Sequence, residues 1–284
     1  QWQVEKKAVN YGMLQISQSL LNMILSLLFV VVFLKGANGR IDAQIITSLF
    51  FLVIVLYILK KDNLLEFFIW RKDYLIEALK FGVPLIPHMA GGFLLVSVDR
   101  FVINQEIGIA EAGIYMVAVQ LTAAIAIVFD AINNAYVPWL FEKLTADELK
   151  EKKKIVKLTY AWFFVIILGV ILAFIIGPAL VVFIAGEQYA QAGKVIGWLV
   201  LGQGFQGMYL MVTNYIFFSK RTGLLSIASI SSGILNLILL IILVRFLGLE
   251  GAAIAFAISM GIRFLLTWWV AHNRHPMPWF SFNN

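Results

Sequence analysis

The sequence predicts an all-α integral membrane protein with eight transmembrane helices. Three observations carry this: its composition, the spacing of its apolar segments and the distribution of Lys and Arg between successive loops. Of 284 residues, 61% are hydrophobic and 13% charged, and the mean hydropathy is +0.89. Soluble domains run at about 45–50% apolar and about 25% charged. A chain of this length in water could not cover so much apolar surface. It has no Cys, which excludes disulfides and thiolate metal sites. A net charge of +6 calls for no nucleic acid partner, because cytoplasmic loops of membrane proteins carry such an excess.

Eight apolar segments, at 13–34, 43–60, 81–105, 113–141, 155–184, 192–218, 223–246 and 250–272, approach or exceed the about 20 residues that cross a hydrocarbon core of about 30 Å. The second is the shortest. Between the second and third lies Leu64–Lys80, where charges alternate with Leu, Phe, Ile and Trp at helical spacing. This stretch predicts an amphipathic helix on the membrane surface. Pro138 predicts that the fourth helix ends or bends there, since proline removes a backbone donor and crowds the preceding turn.

Orientation follows from the cations. Lys6 and Lys7, Lys60 to Lys80, Lys143 to Lys157, Lys220 and Arg221, and Arg274 fall on one side of the alternation and supply 16 of the 22 Lys and Arg. Lys35, Arg40, Lys194 and Arg245 fall on the other, and only Arg100 and Arg263 lie within spans. Both ends of the chain are therefore expected on the cytoplasmic side.

The stretch Leu20–Ala43 resembles Ile234–Ala255. Asn22 aligns with Asn236, Val30 with Val244, and Gly39 with Gly251 after a two-residue gap. Gln15, Gln18, Ser19, Asn22 and Ser26 make one helical stripe; Ser226, Ser229, Gly233 and Asn236 make the corresponding one. The repeat is parallel, with six helices per unit. Residues 1–63 then form the last two helices of a truncated first lobe, 64–80 an interlobe linker and 81–284 a second six-helix lobe. The start at Gln1, without Met, agrees with four absent helices.

Polar groups inside spans need a cavity or a partner helix, because lipid cannot satisfy them. The fourth span carries Asp130, Asn133 and Asn134; the sixth carries Gln203, Gln206, Thr213 and Asn214; the eighth places Arg263 near Ser259 and Thr267. Asn and Gln are equally suited to interhelical bonding. A charge at mid-helix costs about 2.5–3.5 kcal/mol on insertion scales, so Arg100, Arg263 and Asp99 are stronger candidates. Asp99 shares a stripe with Gly92, which suits anchoring to a neighbouring helix. Arg100 shares one with Ser97 and Asn104, which suits a cavity mouth.

Ala78–Leu121, with Phe81-Gly82-Val83-Pro84-Leu85-Ile86-Pro87-His88, Asp99-Arg100-Phe101 and Gly113-Ile114-Tyr115, resembles the start of the second lobe in polysaccharide flippases. These belong to the multidrug/oligosaccharidyl-lipid/polysaccharide exporter superfamily. Asn133–Phe141 and Leu247–Ala255 resemble the same family. The resemblance implies flipping of a polyprenyl-pyrophosphate-linked oligosaccharide, such as an O-antigen unit, across the bacterial inner membrane by alternating access. It implies a partner lipid-linked oligosaccharide, surrounding membrane lipids and polysaccharide polymerase machinery as a candidate partner. Arg100 and Arg263 would meet the pyrophosphate, where Arg binds phosphate oxygens bidentately. Gln203, Gln206, Asn214, Asn133 and Asn236 would meet the sugars, and Asp130 would take a proton or pair with an Arg.

Two other readings stand beside it: a multidrug or small-molecule exporter of the same superfamily, and a membrane-embedded glycan polymerase or ligase. The first would favour an acidic, aromatic cavity. The second needs acid/base or metal-binding residues on long external loops, whereas these loops are short and the three His residues form no evident cluster. No phosphate-binding Gly-Lys-Ser/Thr loop occurs. A non-enzyme without cofactors is expected.

Overall fold

A computed structural model describes residues 8–62, 64, 71–83, 86–219 and 223–279. Every regular element among them is helical. The chain divides into two compact units, Gln1–Tyr74 and Leu75–Asn284.

Unit 1 is a helix pair. α1 (Ala8–Leu27) continues as a π-helical turn, Leu28–Val32, and a corner then leads into α2 (Gly36–Lys61). The corner turns through left-handed backbone at Leu34 (φ 53°) and Gly36 (φ 55°). α2 buries Gly39, Ala43, Thr47 and Phe51, a strict four-residue step that lays one stripe along the helix. A Cβ on Gly39 would lie 2.9 Å from the Phe29 carbonyl, so a hydrogen side chain is what lets α2 start this close to α1. Lys60 and Lys61 close the last turn, where cations favour the helix dipole.

The division between units falls within α3 (Lys72–Gly82). Unit 2 continues with α4 (Ile86–Val96), α5 (Asp99–Glu106), α6 (Ile109–Ala146), α7 (Leu149–Ala185), a 3-10 turn at Glu187–Tyr189, α8 (Ala190–Phe218) and α9 (Gly223–Arg274). α8 is its centre and packs on α6, α7 and α9. α9 has 52 residues, about 78 Å if it were straight at 1.5 Å per residue. It is not straight. Gly248 breaks it at φ 58°, ψ −135°, a conformation open to glycine. The arms 223–247 and 249–274 each suffice for one crossing. α4 lies directly on the first arm: a Cβ on Gly91 would meet the Ser229 backbone at 2.5 Å.

Among the described residues, six helices are long and apolar enough to cross a membrane. The expected helices at 223–246 and 250–272 are the two arms that meet at the Gly248 kink. The helix expected at 81–105 differs. Residues 81–105 do not form one unbroken helix: they give the end of α3, then α4 and α5, with Ser97 and Val98 outside any helix. Local bonds compete with the ladder there. The Arg100 N–H donates to Asp99 Oδ1 at 2.8 Å, and Arg100 Nε donates to the Ser97 carbonyl at 3.1 Å. The fourth helix does not end at Pro138, because α6 runs past it to Ala146. Buried Leu140 and Leu144 beyond the proline hold the last turns in place. Of the surface stretch 64–80, α3 covers the second part, and residues 65–70 lie outside the described set.

Large apolar side chains remain uncovered along α1, α2 and α7; Val31, Val53, Phe164 and Ile175 are each more than half exposed. Water would not tolerate so large an apolar surface, and a bilayer requires it. The chain is a multi-pass membrane protein.

Candidate substrate-binding site

Arg263 lies in the second arm of α9 and is 7% exposed. It points at α8. Its Nη1 donates to Gln206 Oε1 at 3.0 Å, and its guanidinium carbon stands 4.0 Å from the centroid of the Tyr209 ring. Gln206 and Tyr209 are three apart and so share a face of α8. Arg263 Nε has no hydrogen-bond partner, and among the described residues no ion pair involves Arg263.

The neighbours on α9 extend the polar seam. Ser259 and Thr267, one turn to either side of Arg263, are fully buried with unpartnered hydroxyls. On α8, Gln203 is half-buried one turn before Gln206. Two turns beyond Gln206, Asn214 donates to Asn133 Oδ1 of α6 at 2.8 Å, beside the unpartnered Thr213 hydroxyl.

A buried guanidinium costs about 2.5–3.5 kcal/mol in a membrane helix. A desolvated cation–π contact returns about 2 kcal/mol, and a hydrogen bond to a charged group about 1.5–3. Arg263 is therefore tolerated without a carboxylate. It uses one of five N–H donors on Gln206, and its Nε–H is buried without a partner.

The remaining sequence candidates lie elsewhere. Asn236 donates to the Leu94 carbonyl at 2.9 Å and ties the first arm of α9 to α4. Asp99 is buried at the start of α5, where its carboxylate accepts from the Arg100 N–H. Arg100 is exposed, engaged with the Ser97 carbonyl and set 6.0 Å from the Phe101 ring centroid. Asp130 is exposed on α6. The structure thus joins Arg263 to Gln206 and Asn214 to Asn133, and it engages Asn236, Asp99 and Arg100 in contacts of their own. Sequence reasoning missed Tyr209. Its signal was the three-residue step from Gln206.

Residues 5–144 match the family described as "Polysaccharide biosynthesis protein". The chain is 25% identical over 240 residues to a protein of the Lsg locus of Haemophilus influenzae, covering 82% of this chain and 59% of that protein. It is 26% identical over 242 residues to an uncharacterized membrane protein of the same organism, covering 83% and 58%. The chain thus spans just under three fifths of the length of these curated relatives. No solved structure gives a significant match.

Proposed function

We propose that the chain is part of a flippase that moves a polyprenyl-pyrophosphate-linked oligosaccharide across the bacterial inner membrane during polysaccharide synthesis. The observation that carries this is Arg263: a buried cation with no carboxylate, beside an amide, two hydroxyls and an aromatic ring. A pyrophosphate would take the free guanidinium donors. Sugar hydroxyls would exchange bonds with Gln203, Gln206, Asn214 and Asn133. The polyprenyl tail would stay in lipid while the head group crosses. In this reading α1 and α2 end one six-helix lobe, residues 81–284 form the second with eight spans in all, and both ends of the chain face the cytoplasm. The lobes rock in alternating access, and Arg100 and Asp130 serve the mouth and the coupling step. An exporter of cationic drugs would want an acid where Arg263 stands.

The test is flipping of a lipid-linked oligosaccharide in proteoliposomes that contain the full chain. Arg263→Gln should lower the rate at least tenfold with folded protein retained. Arg263→Lys should lower it less, since it keeps charge but loses bidentate geometry. Equal rates for wild type and Arg263→Gln would overturn the reading.

A further inference from the structure

Unit 1 holds a second arginine that pairs with no carboxylate among the described residues. Arg40 sits in the second turn of α2 and is exposed. The nearby acid is already taken: Lys35 Nζ pairs with Asp42 at 3.0 Å. Arg40 reaches across to α1 instead, where its Nη1 donates to the Ser26 hydroxyl at 3.1 Å. Ser26 donates in turn to Asn22 Oδ1 at 3.1 Å.

The direction of this chain decides its chemistry. The single Ser26 proton goes to Asn22, and a Ser26 lone pair receives Arg40. The groups left over include the remaining guanidinium N–H groups and the Asn22 NH2, which are donors. With Ser19 they make the polar strip of a cleft of about 500 Å3. Met23, Leu27, Val30 and Val31 make an aliphatic strip beside it, the two valines coming from the π-helical turn. Among the described residues no acid lines the cleft.

A cation and polar strip running beside methyl and methylene groups selects a ligand with both characters. A small soluble anion would leave the aliphatic strip wet. A hydrocarbon alone would leave the guanidinium without an acceptor. We infer that the cleft formed by Ser19, Asn22, Ser26 and Arg40 binds the phosphate end of a lipid. Arg40 takes the oxygens, in the bidentate geometry that arginine offers phosphate, and the first carbons of the chain lie on Met23 and Leu27. Two sources share this chemistry: a membrane phospholipid, and a polyprenyl pyrophosphate. The second rests on the proposed function, and the first does not.

Native mass spectrometry of the full chain in detergent separates them, with dioleoylphosphatidylglycerol, undecaprenyl pyrophosphate and, as the phosphate-free control, dioleoylglycerol. Wild type should retain at least one phosphate lipid and not the control. Arg40→Gln should lower the retained fraction at least tenfold, and Arg40→Lys less. An unfolding temperature in detergent that is equal for wild type and Arg40→Gln guards against a variant that fails to fold. Loss of both phosphate lipids in Arg40→Gln assigns the cleft to lipid phosphate in general; loss of the polyprenyl form alone assigns it to the carrier lipid. Equal retention in wild type and Arg40→Gln, no retention in wild type, or equal retention of the control overturns the inference. If only Arg263→Gln releases undecaprenyl pyrophosphate, the cleft proposal fails and the Arg263 reading stands.

Discussion

The helix pair of unit 1 and the two arms of α9 in unit 2 are built on the same packing frame and carry different charges. Aligned through Asn22 with Asn236 and Gly39 with Gly251, their buried stripes coincide. Gly39, Ala43, Thr47 and Phe51 stand against Gly251, Ala255, Ser259 and Arg263, and all eight are buried. Thr47 and Ser259 each bury a hydroxyl without a partner. The corners match too. Gly39 abuts the Phe29 backbone and Gly251 the Leu243 backbone, and Phe29 and Leu243 are aligned positions. The arginines do not match: Arg40 aligns with Ala252, and Arg263 with Phe51. The stripe and the corner are fixed by close packing, where one methylene is felt. Arg40 sits at an exposed position that the packing leaves free, whereas Arg263 occupies the last position of the stripe itself. Two similarly packed helix pairs can therefore carry a buried cation in one and a cleft-lining cation in the other.

The corner glycines offer the hardest way to break this equivalence. A Cβ at Gly251 would overlap the Leu243 carbonyl oxygen, whereas at Gly39 it would stand 2.9 Å from the Phe29 carbonyl. Overpacking costs about 1–3 kcal/mol and occasionally more. Gly251→Ala should reach or exceed the top of that range, at about 3 kcal/mol, and Gly39→Ala should cost about 1. Thermal unfolding in detergent, together with the yield of monodisperse protein, measures both. If Gly39→Ala is the more damaging, the two corners are not the same device.

The aligned asparagines come next. Asn236 is 1% exposed and holds the Leu94 carbonyl. Asn22 is half-buried and accepts from Ser26. Interhelical hydrogen bonds in membranes average about 0.6 kcal/mol with a ceiling near 1.7. Asn236→Ala should cost about 1.5 kcal/mol because it leaves a buried carbonyl bare. Asn22→Ala should cost less than half of that. Equal shifts in unfolding temperature would mean that Asn22 is buried by something other than its own unit.

These particular residues also show what the sequence made legible. The break in α9 could be read because Leu-Gly-Leu-Glu-Gly interrupts an apolar run, and glycine is where backbone turns. The break at Ser97–Val98 could not. The apolar pattern continues through it without Gly or Pro, and the cause is a set of short side-chain bonds around Asp99 and Arg100. Pro138 does not end α6, where Leu140 and Leu144 beyond it are buried. The polar residues of the site were visible one helix at a time. That Arg263 meets Gln206, 57 positions away, depends on how α8 and α9 turn toward each other, which periodicity within one helix does not encode. Arg40 was read as a loop cation because its partner, Ser26, belongs to another helix.

The smallest expected difference lies in the ion pairs near helix ends. Lys35–Asp42 in unit 1 is half exposed on both sides. In unit 2, Asp147 follows α6 in left-handed backbone at φ 52°, and the Lys152 ammonium pairs with it. The Lys152 hydrogen bond and charge hold the Asp147 carboxyl below its ordinary 3.8, more than desolvation raises it. A carboxyl with a depressed folded value stabilises the protein above its ordinary pKa and loses that contribution as pH falls through the depressed value. Asp147→Asn is the matched variant, because Asn tolerates the left-handed conformation while removing the charge. Wild type should unfold at a slightly higher temperature than Asp147→Asn at pH 7, by less than either asparagine shift. The gap should close as pH drops below 3.8 and shrink in high salt, where surface pairs are screened. A gap that persists at low pH and in salt would locate the effect in the backbone turn and not in the charge.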